Sequence, residues 1–225
     1  MSAAHGLERL TAERAALSER VWYAAYGSNM HAGRLAYYLA GGRPPGGART
    51  YPGCRDPRPP ERAVPVELPG QLYFALESRV WTGGMGFWDP LDPGRMPARA
   101  YLVTVSQFAD IAAQEMHRDP AADLDLGAVL ATGRAVLGAG RYETLVCPGL
   151  LDGSPVLSFT AGCRSADARL NPPSAGYLHE LCSGLRESHG WGLERAAEYL
   201  AARPGAVGAW TASAVVASER GRRGR

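Results

Sequence analysis

The sequence predicts an α+β fold with a small, mixed or mostly antiparallel, barrel-like sheet flanked by helices. Three observations carry that expectation. Short apolar runs bounded by glycine and proline mix with amphipathic segments, without the strict strand–helix alternation of a parallel sheet. Glycine (28) and proline (17) make up a fifth of the 225 residues, against about 12% ordinarily. That excess calls for many turns and argues against a helical bundle. The 46% hydrophobic content is that of a globular chain, long enough to bury a core without disulfide or metal staples.

The elements follow in chain order. Residues 7–21 set Leu7, Leu10, Leu17 and Val21 among alternating Glu and Arg, which predicts an amphipathic N-terminal helix and not a signal peptide. The apolar, aromatic run Val21–Tyr26 reads as a buried strand, interrupted by Gly27-Ser28-Asn29. Residues 30–40 read as a helix with Met30, Leu35, Tyr38 and Leu39 inward, ended by Gly41-Gly42. The stretch 43–70, dense in proline, glycine and arginine, predicts a long irregular loop of the kind that is often functional. Strands are expected at Gln71–Leu76 and Ala98–Val105, with a glycine-rich element, Gly83–Pro90, leading into a turn between them. Ser106 is expected to cap a helix running to about His117, short of Asp119-Pro120. Strands Thr144–Cys147 and Val156–Thr160 should join through Asp152-Gly153. Helices are expected over Ser174–Ser188 and Leu193–Ala202, separated by Gly190-Trp191-Gly192.

Charge narrows the chemistry. All 24 basic residues are arginine. Without lysine there is no Schiff base to a carbonyl substrate and no Walker-A phosphate loop. The net charge of +2 belongs to the tail, since Arg220–Arg225 holds four arginines and the rest of the chain is slightly acidic. Such a tail reads as disordered and solvated, with nucleic-acid binding a minor alternative. Cys54, Cys147, Cys163 and Cys182 lack CxxC spacing and the five histidines lack HExxH spacing, so no metal is inferred. Free thiols and the lack of an apolar run of about 20 residues suggest a cytoplasmic protein with no membrane partner.

Two motifs carry possible chemistry. Tyr26-Gly27-Ser28-Asn29-Met30 is a strand, a glycine turn and the opening of a helix. Such a turn presents backbone N–H groups suited to a carboxylate or phosphate, although Ser and Asn there serve equally as ordinary caps. Ser28 is not in a GxSxG elbow and is not read as a nucleophile. In the second motif, the helical period from Phe108, Ile111 and Ala112 lands on Glu115, with no arginine at i−4 or i+4. Two readings stay open. The carboxyl is enclosed and its pKa raised, as a general acid/base requires, or it turns to solvent or pairs with a distant arginine.

Taken in order, the pieces resemble the γ-glutamylcyclotransferase-like superfamily. Tyr26-Gly27-Ser28-Asn29-Met30 with Arg34 resembles its substrate loop. Gln114-Glu115 resembles the position of its catalytic glutamate. Pro173-Ser174-Ala175-Gly176-Tyr177, with Gly184 and His189-Gly190, resembles its later motif. The match covers about 22–192. It implies an N-terminal helical extension over 1–20, a γ-glutamylcyclotransferase-like domain over 21–192, and a C-terminal helix with an Arg-rich tail over 193–225. The long 43–70 stretch and both ends lie outside the family pattern, which leaves the leaving-group side open.

The resemblance implies a cofactor-independent enzyme acting on a small-molecule γ-glutamyl substrate. The substrate's own α-amine attacks its γ-carbonyl, closing a five-membered ring and giving 5-oxoproline and a free amine. Glu115 would be the catalytic acid/base. Tyr26, Gly27, Ser28, Asn29, Arg34 and Tyr177 would bind the substrate, with the N–H groups of 27–29 on its oxygens. Hydrolysis or acyl transfer of the same amide is the alternative reaction, and a non-catalytic binding module the alternative role. Neither the leaving amine nor the oligomeric state is specified.

Overall fold

The structure is a computed structural model that describes residues 4–9, 19–44, 49–78 and 80–223. Its main sheet has six strands: β1 (Arg20–Ala25), β2 (Arg62–Pro69), β5 (Arg95–Thr104), β6 (Arg134–Val136), β7 (Thr144–Leu151) and β8 (Ser154–Thr160). Their order is β2-β5-β1-β8-β7-β6. A hairpin of β3 (Gln71–Ala75) and β4 (Met85–Asp89) forms a second, two-stranded ladder. The helices are α1 (Ala32–Ala40), α2 (Val105–Glu115), α3 (Gly127–Thr132), α4 (Ala175–His189), α5 (Leu193–Ala201) and α6 (Ala212–Arg223).

β1 is central. It pairs antiparallel with β5 and parallel with β8, the one parallel pair among the described strands of the sheet. Buried on both faces, it reads as the continuous apolar run expected of such a strand. The hairpin joins the sheet through a side chain. The Thr160 hydroxyl accepts from the Trp88 N–H at 2.9 Å and donates to the Trp88 carbonyl at 2.7 Å. The expected turn at Asp152-Gly153 is present, with φ of +50° and +75° as a tight hairpin turn of the primed type requires.

Several expectations are corrected. The stretch 43–70 is not loop throughout, because its last third is β2. Pro65 and Pro69 hid that strand, yet proline is tolerated there because β2 is an edge strand of the sheet, with β5 as its one strand partner among the described residues. Met85–Asp89, expected as a glycine-rich lead into a turn, is strand β4. The cap of α2 is Thr104 and not Ser106. The Thr104 hydroxyl accepts from the Gln107 N–H at 3.0 Å, and the Gln107 side chain accepts from the Thr104 N–H at 3.1 Å, a closed capping box.

The expected helix over 7–21 does not exist at its described ends. Residues 7–9 are non-helical and Arg20 already belongs to β1; residues 10–18 lie outside the described residues. Instead the N-terminal segment covers open strand edges. Glu8 and Leu150 exchange N–H to carbonyl bonds of 2.7 and 2.8 Å, beside the part of β7 that β6 is too short to reach. The His5 N–H bonds to the Pro65 carbonyl on the β2 edge at 3.0 Å.

The arginine tail is also corrected. Residues through Arg223 form α6, which docks on the body through buried Val215, and only the last two residues are outside the description. Just before it, the Trp210 indole N–H bonds to the Pro173 carbonyl at 2.8 Å. Of the tail residues, Arg220 and Arg222 are exposed as expected; what differs is that they are carried on an ordered helix docked by one buried apolar residue and a few polar ties. No helix among the described residues is long and apolar enough to cross a membrane.

Candidate active site

The first wall of the site grows from the end of β1. After Ala25 the chain breaks at Gly27 into a 3₁₀ turn over Ser28–Met30. The first bond of that turn runs from the Met30 N–H to the Gly27 carbonyl, so the N–H groups of Ser28 and Asn29 precede its ladder. The turn is fixed from below by Tyr101 of β5, whose hydroxyl lies 2.9 Å from the Asn29 carbonyl and 3.0 Å from that of Met30. It is fixed from behind by α4. A Cβ on Gly184 would stand 2.5 Å from the Met30 Cβ, so the close approach of helix to turn needs glycine there.

The second wall is α2, rising from β5 through the Thr104 box. Phe108, Ile111 and Ala112 are fully buried, and the same face carries Glu115 at the last turn. Its carboxyl faces the turn across the cavity: the Asn29 side-chain amide donates to Glu115 Oε1 at 3.2 Å and lies 3.3 Å from the Tyr23 hydroxyl. The pKa of Glu115 is raised, with burial the largest cause. A Tyr38 hydrogen bond, the charges of Arg34 and Arg49 and the Asn29 amide all pull the other way, and burial wins. Both sequence readings are therefore partly present. The carboxyl is enclosed, and two arginines distant from it along the chain lie close.

Arg34 projects from α1 and is only 6% exposed. Its guanidinium sits over the rings of Tyr51, Trp81 and Tyr38 at 4.7, 5.2 and 5.8 Å. Nη2 donates to the Tyr51 hydroxyl, and Nε is buried without a partner among the described residues. A guanidinium held by rings and one hydroxyl, with no ion pair among the described residues, is prepared for an anion from outside. The third wall is Tyr177 of α4, whose backbone N–H is capped by Ser174 at 3.2 Å. Its hydroxyl accepts from the Gly86 N–H at 3.2 Å, and its ring stacks on Trp81.

Every residue singled out in the sequence, Tyr26, Gly27, Ser28, Asn29, Arg34, Glu115 and Tyr177, lines this one cavity of about 80 Å³. One of them is less available than its position suggests. The Tyr26 hydroxyl donates to the Phe159 carbonyl at 2.8 Å, so its proton is committed to the sheet. The sequence reading missed Tyr23, Tyr38, Arg49, Tyr51, Trp81 and Tyr142. Arg49 and Tyr51 come from the proline-rich stretch, where no periodicity marks a direction. Arg49 reaches the end of α2, bonding to the Gln114 carbonyl at 3.1 Å and to His117 Nδ1 at 3.0 Å. Among the described residues no group of three or more His, Cys, Asp and Glu could hold a metal ion.

An uncharacterized protein from Homo sapiens, solved as a crystal structure with ensemble refinement, superposes with a TM-score of 0.50 at 18% identity, covering 90% of this chain and 99% of that one. The chain shares its mixed α+β fold with that protein. A solved structure named γ-glutamyl cyclotransferase is also similar, at TM-score 0.49 and 16% identity, with 90% of this chain and 99% of that one covered. In sequence, histone deacetylase 5 of Arabidopsis thaliana is 32% identical over 200 residues, 80% of this chain. The chain spans only about 30% of that relative's length. No family model matches. Within this fold, the mixed sheet places the end of β1 opposite the end of α2, and that juxtaposition makes the cavity.

Proposed function

We propose that this chain is an enzyme that cyclises a γ-glutamyl amide to 5-oxoproline and releases the amine, with Glu115 as the general acid/base. The observation that carries the reading is the position of the enclosed, pKa-raised Glu115 carboxyl, 3.2 Å from Asn29 and across one cavity from the Gly27–Asn29 turn.

The chemistry follows from those groups. Arg34 receives the substrate's α-carboxylate, and the 27–29 turn faces the γ-carbonyl oxygen, where negative charge develops. The raised pKa brings Glu115 nearer to that of the α-ammonium, so proton transfer to the carboxylate becomes less uphill. The freed amine lone pair forms the new C–N bond as the carbonyl electron pair moves onto oxygen. Collapse of that oxyanion breaks the bond to the leaving nitrogen, to which Glu115 returns its proton. The second proton of the attacking nitrogen goes to the departing amine, which leaves as ammonium. Holding the substrate curled supplies an advantage of about 7–11 kcal/mol when the geometry is fixed.

Glu115→Gln is the test. It is expected to lower 5-oxoproline release from a responsive γ-glutamyl amide by about 10²–10⁴-fold, with the circular dichroism spectrum retained. Full activity in that variant would overturn the assignment, and glutamate in place of 5-oxoproline would make the reaction a hydrolysis.

A further inference from the structure

Outside the inner cavity lies a larger groove of about 590 Å³ between α1, α4 and α6. The two share Arg34, Arg49, Tyr51 and Trp81, so a substrate held inside has this groove on its far side. The ionisable groups lining it are Arg34, Arg49, Arg222, His31, His179 and a single acid, Glu180. That acid is engaged by His31 at 2.9 Å, a contact that raises the His31 pKa. His179 is engaged by Glu219 at 2.9 Å. Arg34 is clamped by rings, and Arg49 bonds to the end of α2. Arg222 is different: among the described residues it has no hydrogen bond and no ion pair, and the groove has no acid left over to meet it.

The position of Arg222 is built. Glu219, one turn earlier on α6, is only 4% exposed and grips His179 of α4. Arg220 pairs with Glu194 of α5 at 3.1 Å. These contacts lay α6 along α4 at Gly176. A Cβ on Gly176 would stand 3.5 Å from Arg222 Nη2 and 3.8 Å from the Trp81 ring. Trp81 in turn covers Arg34 and stacks on Tyr177. A continuous path runs from the reacting cavity, over Trp81, to Arg222.

Resting on the proposed cyclotransferase reading, we infer that Arg222 is a specificity-determining residue: the outer groove receives the leaving amine, and Arg222 recognises an oxyanion, carboxylate or phosphate, carried by it. A planar guanidinium suits either group, and a neutral or cationic amine would leave the groove's positive charge unanswered.

The test compares γ-glutamyl-alanine, γ-glutamyl-alaninamide and γ-glutamyl-aminoethylphosphate on the full chain. Two readouts are used: kcat/KM for 5-oxoproline release, and Kd by calorimetry on the Glu115→Gln chain, where turnover is blocked. The anionic substrates should be favoured over the amide by about tenfold or more. Arg222→Gln should remove most of that ratio through KM, and Arg222→Lys should restore much of it. Which oxyanion is preferred identifies the leaving-group class. If no substrate yields 5-oxoproline but the Kd ratio still depends on Arg222, the subsite stands and the cyclisation falls. A ratio near one in the unmodified chain, a ratio unchanged by Arg222→Gln, or no binding of any of the three overturns the inference.

Discussion

Glu115 meets two opposed demands: the proposed chemistry needs its ionised form as base, and its surroundings favour the protonated one. Because burial raises its pKa, the acidic limb of kcat/KM should lie above the ordinary glutamate range of about 4.3, with activity falling as pH drops through the raised value. The same shift has a stability sign. A carboxyl whose folded-state pKa exceeds its unfolded value favours the fold at low pH and loses that contribution as pH rises through the folded pKa. Glu115→Gln should therefore raise Tm at neutral pH while removing activity, by about 2–4 °C for each kcal/mol of ionisation cost relieved in a chain of this size. A lowered Tm with native circular dichroism would contradict the enclosed carboxyl. Helical period alone reached Glu115. It could not reach Arg34 and Arg49 beside it, because both come from other parts of the chain and only the fold brings them near.

Elements position these side chains, and their packing tolerances can be tested. α4 approaches the 28–30 turn so closely that Gly184→Ala should force helix and turn apart. We expect a loss of about 1–3 kcal/mol together with reduced kcat/KM, since the displaced turn carries Asn29. A substitution without effect on either would show that the contact is slack. Gly86 is a similar case on β4. An added Cβ would lie 2.6 Å from the Tyr177 hydroxyl, so Gly86→Ala should displace Tyr177 and raise KM at comparable cost in stability. Thr104→Ala opens the capping box beneath α2 and should cost about 1 kcal/mol, read as a fall in Tm. Much of this level was legible beforehand. Strands β1 and β8, helix α4 and the Asp152-Gly153 turn follow from pattern and turn chemistry. The start of α2 was misplaced by two residues because Thr104, Ser106 and Gln107 offer overlapping cap signals and only geometry selects among them. β2 was missed because proline argues against strands in general but not against an edge strand.

At the scale of the whole molecule, the two ladders are held together by side chains. Besides Thr160, the buried Asp89 carboxylate on β4 accepts from Arg164 Nε at 2.7 and 2.9 Å, from the Ser165 N–H at 2.9 Å and from the Leu91 N–H at 3.0 Å. Arg164 is itself partly solvated, so Arg164→Ala should cost about 1–3 kcal/mol by leaving Asp89 without its cation. Thermal unfolding would show this as a lowered Tm with normal substrate affinity in the folded population. Loss of affinity without loss of Tm would instead assign the pair to the site. The ends of the chain also belong to this scale. The N-terminal segment covers strand edges, and α6 brings Arg222 to the outer groove. Neither role follows from a local pattern.

The sequence by itself determined the class of fold, most of its strands and helices, and seven of the residues that line the cavity. It did so because strand burial, helical period and glycine turns are local properties, and because the motif residues lie at the ends of those elements. Only the tertiary structure decided the electrostatics: that Glu115 is enclosed yet flanked by Arg34 and Arg49, that the Tyr26 proton is committed to the sheet, and that a run of arginines at the tail is a docked helix. Charge interactions act through space between groups far apart in the chain, and composition fixes their number but not their neighbours. The absence of lysine is compatible with the proposed chemistry, which asks for one enclosed carboxylate, a turn with free N–H groups and arginines placed by the fold.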